Sequence, residues 1–511
     1  MRVRGAVGGL KVYLLAGFAV LCLCAGLWTL SSATAGLEVS STRLGPTPVT
    51  VYRLPDSGPA PVVLIAHGFA GSQQLMAPFA VSLARAGYVA VTYDLLGHGR
   101  NASALAGDVT SETGAMRNLL NELQSVADFA LALPSVDGRL ALLGHSMASD
   151  VVARYAAEHP QQVSATVAVS LFSRVVTADS PENLLVIVGA WEPGLREEGL
   201  RVLRLGGRDG AQEGETVGTV ADGSARRLVF ADNVEHIGVL YSRESLAEAV
   251  AWLNGVFGRS ETAELDIRGP WLAALFGGIL LLGYPLSRLL PRVSLVKLEG
   301  GLGWRRLALL LIAPAILTPL ILRPLPTDFL PLLVGDYLAA HFALYGLLTA
   351  GGLLLLGPPG AFRASPWRPT LAAAGVTTLY TLGAIGLALD NFALSFVPTE
   401  ARWPLIAVMI AGTLPYFLAD EWLTRGESGH ATAYPLSKIC FAVSLAIAVA
   451  LDLQRLFFLI IIIPLILVFF IVYGLFSRWA YRATGQPLVG GLANALAFAW
   501  AIAVTFPILQ G

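Results

Sequence analysis

The residue best placed for chemistry in this sequence is Ser146, the third residue of the stretch GHSMA at positions 144–148. An apolar, strand-like run over residues 138–146 leads into the serine, and a helix-like run follows it. A Gly-x-Ser-x-small stretch between a strand and a helix is typical of a nucleophile elbow, whose sharp turn lifts the serine hydroxyl clear of a sheet. Ala148 stands where glycine is usual, and alanine is small enough for the strand and the helix to pass closely. The spacing therefore predicts a serine nucleophile at position 146.

Two further stretches before the serine fit the same chemistry. HGFAGS, residues 67–72, follows the apolar run VVLIA, where acyl transfer needs a backbone N–H directed at the developing oxyanion. YDLLGHGRNAS, residues 93–103, follows the next predicted strand. Together with residues 144–148, these stretches resemble the α/β-hydrolase superfamily, in particular its monoacylglycerol-lipase-like and lysophospholipase-like members, which carry similar motifs in this order. The resemblance covers residues 49–256.

The resemblance implies which residues assist Ser146. The oxyanion donors would be the backbone N–H groups of Phe69 and Met147. The superfamily orders its triad as serine, acid and histidine along the chain, and two histidines follow the serine in this region. His159 precedes a proline at a predicted helix end, which is typical of a solvated cap residue. His236 follows the last predicted strand, where the superfamily places its general base, and we predict it to be the catalytic histidine.

The acid of the triad is predicted at Glu192. By the same resemblance, an aspartate commonly stands three residues after a glycine at the end of the penultimate strand, and Glu192 stands in that relation to Gly189. A carboxylate there holds the tautomer of the histidine and stabilises its protonated form. Asp179, after the preceding strand, is the alternative. His67 and His145 are predicted to be hydrogen-bonded scaffold residues beside the site.

The elements that must position these side chains fill residues 37–267, in which strand-like and helix-like runs alternate. Strands separated by helices predict a mostly parallel sheet with helices on both faces, the fold of an α/β-hydrolase domain. Near-continuous apolar strands fit a sheet that is buried on both sides. The predicted strands are VTVYRL (49–54), PVVLIAHG (61–68), YVAVTYD (88–94), GRLALLGHS (138–146), VSATVAVS (163–170), NLLVIVGA (183–190) and ARRLVFA (225–231).

No inserted lid is predicted, because only residues 171–182 separate two strands between which many relatives insert helices. The glycine-rich residues 210–227, before the last strand, are interpreted as a connector, with a place at the rim of the site as the alternative. Without a lid, the predicted pocket is open unless the membrane domain covers it.

Residues 1–36 predict export from the cytoplasm. Three basic residues precede the apolar run over residues 12–30, which has about the 20 residues needed to span a bilayer. Ala33 and Ala35 then form an A-x-A pattern, which is typical of signal-peptide cleavage. A retained signal anchor is favoured over a cleaved signal peptide, and either one sends residues 37–267 out of the cytoplasm.

Residues 268–511 predict an all-α transmembrane domain of about eight helices. Loops on one side of the predicted spans carry most of the arginine and lysine, so the positive-inside rule places residues 37–267 outside the cytoplasm. We therefore predict a multi-pass protein of the cell membrane with an extracytoplasmic α/β-hydrolase domain. The predicted spans lie near 271–290, 306–322, 332–356, 370–389, 404–419, 438–453, 456–476 and 488–508.

Ionisable residues within membrane spans often mark functional sites. Asp336 and His341 are interpreted instead as solvated residues near the interface, with a functional role as the alternative. Four further acidic residues are placed at predicted span ends and need no special role: Asp390, Asp420, Glu421 and Asp452.

The composition narrows the classes of protein that need to be considered. Of the 511 residues, 55% are hydrophobic and 14% are charged, against about 25% charged in typical soluble domains. The formal net charge of −1 gives no reason to expect a nucleic-acid partner. The three cysteines, Cys22, Cys24 and Cys440, show neither paired nor metal-ligand spacing, so no disulfide, metal or other cofactor is predicted.

The leading hypothesis is a membrane-bound serine hydrolase that cleaves esters, possible substrates being lipids or acylated components of the cell envelope. It would use a Ser-His-Glu triad and an acyl-enzyme. One alternative is an acyltransferase with the same triad. Another is a transporter or scaffold membrane protein with a regulatory hydrolase-like domain. The substrate, the oligomeric state and the role of so many spans stay open.

Overall fold

The structure is a computed structural model. It describes the residues in six stretches, 2–107, 114–207, 210–294, 302–357, 366–427 and 430–510, without the side chains of 2–9 and 426–427.

The chain forms two compact units, and each takes segments from distant parts of the sequence. The unit that contains the β-sheet, here called the sheet unit, comprises Ala25–Ala274, Asp390–Ser395 and Pro507–Gly511. The other, here called the helical unit, comprises Met1–Cys24, Leu275–Leu389 and Phe396–Phe506. The predicted domains, 1–36, 37–267 and 268–511, follow the order of the chain, whereas these units do not.

The described part of the sheet unit contains nine strands in one mostly parallel sheet, which confirms the predicted fold class. The strands are β1 (Glu38–Leu44), β2 (Thr47–Arg53), β3 (Ala60–Ala66), β4 (Val89–Tyr93), β5 (Val136–His145), β6 (Val163–Val169), β7 (Leu184–Gly189), β8 (Thr216–Val217) and β9 (Arg226–Ala231). Their order is β1-β2-β4-β3-β5-β6-β7-β9-β8. The pairs from β4 through β3, β5, β6 and β7 to β9 are parallel, and those of β1, β2 and β8 are antiparallel.

The first helix of the chain is α1 (Arg2–Ser31). Five helices cover the two faces of the sheet: α2 (Ala77–Arg85), α3 (Ala115–Leu131), α4 (Met147–Glu158), α5 (Pro193–Leu205) and α6 (Arg243–Phe257). Strand β3 shows the arrangement, because successive side chains of a strand point to opposite faces. Val63 and Ile65 pack in one buried cluster with residues of α2 and α6. Val62 and Leu64 pack in another with residues of α3 and α4. Both faces are therefore core, as the near-continuous apolar strands predict.

The segment at 507–510 joins the sheet unit by backbone hydrogen bonds. The N–H of Ile508 donates to the carbonyl oxygen of Gly97 at 2.9 Å, and the N–H of Leu105 donates to the carbonyl oxygen of Ile508 at 2.8 Å. Leu509 forms a parallel bridge with Leu105 and packs against the buried cluster of β3, α3 and α4. The segment thus supports the loop that follows β4.

Nine helices among the described residues are long and apolar enough to cross a membrane, which indicates membrane association. Eight of them follow residue 268, where the sequence analysis places its spans. They are Leu10–Ser31, Gly269–Ser287, Trp304–Leu322, Gly335–Leu356, Trp367–Phe392, Glu400–Arg425, Ala433–Leu451, Leu459–Thr484 and Pro487–Thr505.

The prediction that Asp336 and His341 are solvated is wrong. Both are buried in the helical unit, and the ring of His341 lies 3.1 Å from the hydroxyl of Ser444 through its Nε2 atom. A carboxylate oxygen of Asp336 accepts the N–H of Tyr337 at 2.7 Å. The position of these residues along a predicted span carries no information on their burial among neighbouring helices.

Asp420 and Glu421, which the sequence analysis places at predicted span ends, are buried. Asp420 pairs with the ammonium of Lys438 and accepts the hydroxyl of Ser437. Glu421 pairs with Arg425 at 3.1 Å. A buried carboxylate needs such partners because burial removes its hydration.

Replacement of Lys438 by methionine is expected to lower the free energy of unfolding by about 3–5 kcal/mol, because Asp420 then stays buried without its cation. The midpoint of thermal unfolding in detergent measures this loss. Lys11→Met, at an exposed lysine of a helix, is the matched control. Adding Asp420→Asn to Lys438→Met is expected to restore part of the loss, since the amide carries no charge. Equal midpoints for the two single variants would contradict a stabilising pair.

Candidate active site

Ser146 lies in a strained turn between β5 and α4. Its backbone angles are φ 53° and ψ −119°, which non-glycine residues rarely adopt. A hydrogen bond from its N–H to the carbonyl oxygen of Val169, at 2.9 Å, ties the turn to β6. The approach of strand and helix is close: a Cβ atom on Gly144 would lie 2.3 Å from the carbonyl oxygen of Ala148. The small residues of the GHSMA stretch are needed for this reason.

The side chains of Ser146, His236 and Glu192 form one hydrogen-bonded row. The Nε2 atom of His236 lies 2.8 Å from the hydroxyl oxygen of Ser146. The Nδ1 atom of the same ring lies 2.5 Å from a carboxylate oxygen of Glu192. A neutral ring with its proton on Nδ1 donates to the carboxylate and accepts the serine proton at Nε2. The structure therefore brings together the three side chains that the sequence analysis selects, although they lie on three different loops.

The carboxylate of Glu192 is held at its other oxygen as well. That oxygen accepts the N–H of Gly189 at 2.7 Å and the hydroxyl of Ser170 at 2.8 Å. Ser170 directly follows β6 and has a positive φ of 54°. Ser170 is not among the predicted site residues, because a serine at the end of an apolar strand carries no motif of its own. Its contact fixes the orientation of the carboxylate toward His236.

The loop after β3 lies against the nucleophile. A Cβ atom on Gly68 would be only 2.9 Å from the Cβ atom of Ser146. The next residues form a turn in which the N–H of Gly71 donates to the carbonyl oxygen of Gly68 at 3.1 Å. Phe69 follows Gly68 and Met147 follows Ser146, so the two predicted oxyanion donors adjoin residues that touch each other.

His67 and His145 are buried scaffold residues, as their positions in the motifs predict. The N–H of Leu95 donates to Nε2 of His67 at 3.1 Å, which leaves Nδ1 to donate to the carbonyl oxygen of Gly68 at 2.8 Å. Nε2 of His145 donates to the carbonyl oxygen of His236 at 2.9 Å. The ring of His67 thus links the backbone of the loop after β3 to that of the loop after β4, and the ring of His145 holds the backbone at His236.

Asp179 and His159, the other candidates for the acid and the histidine, are not part of this hydrogen-bonded row of side chains. Both ring nitrogens of His236 are already engaged by Ser146 and Glu192, so Asp179 has no place beside the ring. Asp179 is exposed in the loop after β6. His159 ends α4 and stacks on Tyr155 with ring centroids 4.3 Å apart.

Residues 57–192 match the family described as "Serine aminopeptidase, S33". This part of the chain is similar to the α/β hydrolases, in agreement with the fold class of the sheet unit. The match includes Ser146 and Glu192 and ends before His236. It supports an activity of the serine-hydrolase type and does not specify the substrate.

Solved structures similar to the hydrolase share little sequence with it. A bacterial membrane phospholipase A is 17% identical with a TM-score of 0.33, and covers 50% of this chain and 99% of its own. A dienelactone hydrolase from Anabaena variabilis is 18% identical with a TM-score of 0.32, over 44% and 98%. An epoxide hydrolase from Vigna radiata is 24% identical with a TM-score of 0.22, over 27% of this chain and only 41% of its own. All three TM-scores are low, so these similarities say nothing about activity. No curated protein matches the sequence.

His145 makes the stability of the hydrolase depend on pH. Burial, with the neighbouring His236, lowers the pKa of His145 to about 3, whereas the unfolded value is about 6.5. Unfolding therefore binds a proton between these values, so the stabilisation is complete above about pH 6.5 and is lost as the pH falls. We expect His145→Gln, which keeps a donor but cannot titrate, to flatten the fall of the unfolding midpoint between pH 7.5 and 5. Parallel curves for the two proteins would contradict a buried neutral imidazole.

Proposed function

We propose that the sheet unit is a serine esterase that cleaves acyl esters through Ser146, His236 and Glu192. The observation that carries the proposal is the double engagement of one imidazole ring, 2.8 Å from the serine hydroxyl and 2.5 Å from the carboxylate. Such a ring can accept the serine proton while the carboxylate stabilises the resulting positive charge. Chance packing seldom arranges a strained serine, a base and an orienting acid in this order.

In the proposed mechanism, Nε2 of His236 takes the proton of Ser146 as the hydroxyl oxygen attacks the ester carbonyl. The negative charge that develops on the carbonyl oxygen is stabilised by the N–H groups of Phe69 and Met147. The alcohol leaves with the proton from Nε2, and the acyl group stays on Ser146. Water, deprotonated at the same nitrogen, then attacks the acyl-enzyme, and Nε2 returns the proton to the oxygen of Ser146 as the carboxylic acid is released. The carboxylate of Glu192 orients the ring of His236 in both steps.

Large apolar side chains beside the site favour a substrate with an acyl chain. Trp191 adjoins Glu192 and is 62% exposed, and Ile237 adjoins His236 and is 43% exposed. Phe172, in the loop after β6, is 62% exposed. Large exposed apolar side chains in the loops that carry a site are compatible with the binding of apolar ligands. With the membrane-spanning helices of the same chain, they favour lipids or acylated envelope components.

Hydrolysis is favoured over transfer to another acceptor, because about one third of the side chain of His236 is exposed. Water can then reach the base during deacylation. An acyltransferase would use the same acyl-enzyme with an alcohol or amine as acceptor, and product analysis with and without added acceptors separates the two reactions.

We further propose that the sheet unit lies outside the cytoplasm. A fluorophosphonate that cannot cross membranes would then label it in intact cells.

Fluorophosphonate labelling of isolated membranes tests the triad. Ser146→Ala is expected to abolish labelling. His236→Ala and Glu192→Gln are expected to slow it strongly, the latter by about 10³- to 10⁴-fold, because the ring loses its orienting carboxylate. His159→Ala and Asp179→Asn are the matched controls and are expected to label like the wild type. Labelling of a folded Ser146→Ala variant, or a greater loss in Asp179→Asn than in Glu192→Gln, would contradict this triad.

A series of esters tests the substrate class. We expect kcat/KM to rise with acyl length from acetyl to longer p-nitrophenyl esters, and to be lower for amino-acid p-nitroanilides. Trp191→Ala is expected to lower kcat/KM for long chains by about 10-fold and for acetyl esters much less, because only long chains reach the indole. A preference for the anilides, or an equal effect of Trp191→Ala at all lengths, would count against an acyl-lipid substrate.

A further inference from the structure

The loop that carries Phe69 is held from a distant part of the chain. We call residues 67–76 the oxyanion loop and residues 390–395, also part of the sheet unit, the brace segment. The N–H of Ser395 donates to the hydroxyl oxygen of Ser72 at 2.9 Å. The carbonyl oxygen of Asp390 accepts the side-chain amide of Gln74 at 3.1 Å.

Gln74 is the centre of these contacts. Its amide oxygen accepts the hydroxyl of Ser72 at 2.7 Å and that of Ser395 at 3.2 Å, while its amide nitrogen donates to Asp390. The hydroxyl of Ser72 is thus a donor to Gln74 and an acceptor from Ser395. Ser72 and Ser395 are both buried, where an unmatched polar group is costly.

A second connection joins the brace segment to the loop after β4. The guanidinium of Arg100 pairs with the carboxylate of Asp390 at 2.6 Å. The backbone N–H of Arg100 donates to one carboxylate oxygen of Asp94, and the N–H of Gln73 donates to the other, each at 2.8 Å. The brace segment, the oxyanion loop and the loop after β4 therefore share one polar network.

This network fixes the far end of the oxyanion loop. The near end leaves β3 and touches Ser146 at Gly68, and the turn at residues 68–71 lies between the two ends. The direction of the Phe69 N–H is a property of that turn. An oxyanion donor acts on the transition state only if it is already aimed at the developing charge, so small displacements reduce the rate.

We propose that the brace segment positions the oxyanion loop for catalysis, with Gln74 as the positioning residue that links the two. This inference rests on the proposed esterase function. Because the oxyanion donors act on the transition state, loosening the loop is expected to lower kcat with little change in KM.

The test uses the full-length chain and a short, water-soluble p-nitrophenyl ester. Gln74→Ala, which removes all three contacts, is expected to lower kcat by about 10-fold or more, below the 10²–10³ known for deletion of a donor. Gln74→Glu keeps the acceptor but cannot donate to Asp390, and an intermediate loss is expected. Gln124→Ala, at a glutamine on α3 bonded to Asp128, is the matched control and is expected to keep the wild-type kcat.

Two further measurements separate positioning from a general loss of structure. The affinity for a trifluoromethyl ketone, whose adduct carries an oxyanion, is expected to fall in parallel with kcat, while KM for the ester changes less than about twofold. Ser395→Ala keeps its N–H donor and is expected to lower kcat only about two- to threefold. In combination with Gln74→Ala it is expected to add nothing, because its hydroxyl has already lost its acceptor.

The outcomes distinguish this inference from the proposed function. If the wild type hydrolyses the ester but folded Gln74→Ala and Gln74→Glu keep its kcat, the positioning role is wrong and the esterase stands. Additive effects of Ser395→Ala and Gln74→Ala, or a rise in KM that accounts for the loss, would also overturn it. If Gln74→Ala does not fold, Gln74→Glu and Ser395→Ala carry the test. A folded wild type that neither labels nor hydrolyses esters contradicts the esterase itself.

Discussion

The hydrogen bond between His236 and Glu192 is the contact on which the rest of the site depends. It sets which ring nitrogen carries the proton and so leaves Nε2 free to face Ser146 at 2.8 Å. That bond is possible only because β5, β7 and β9 run parallel, so that the loops after them leave the same edge of the sheet. The carboxylate is in turn held by Gly189 and Ser170. The nine-stranded sheet can therefore be understood as a frame that holds one imidazole ring.

The sheet also stabilises the strained backbone conformation of Ser146. A serine with φ 53° is unfavourable by itself, by roughly 1–3 kcal/mol. The turn persists because β5 is buried on both faces and because the N–H of Ser146 is bonded to β6. The strands are thus largely buried, and the loops at their ends carry the polar groups of the candidate site. Rigid strands with functional loops are the general solution for open sheets of this kind.

The sequence predicted the parts of the fold whose side chains are buried in a regular pattern. Strands β2 to β7 and β9 are apolar and rich in branched residues, so they could be located, whereas β1 (EVSSTRL) is exposed and pairs mainly through its backbone. Ser146, Glu192 and His236 could be predicted to lie together because each is marked by a motif or by its position after a predicted strand. The contact of Ser170 could not be predicted, because no motif marks this serine. The brace segment could not be predicted either, since the bond from Ser395 to Ser72 joins residues 323 positions apart. Composition likewise could not show that Asp420 and Glu421 are buried with cationic partners.

The discontinuous make-up of the sheet unit has a consequence for biosynthesis. Its strands are complete once the ribosome has passed residue 231, yet residues 390–395 and 507–510 belong to the same unit. Residues 275–389, of the helical unit, are synthesised before the first of these two segments, and residues 396–506 are synthesised before the second. Some hydrogen bonds of the loops after β3 and β4 can therefore form only once residues 390–395 and 507–510 have been synthesised. The polar contacts around the candidate site thus depend on segments of the chain that follow the sheet by more than 150 positions.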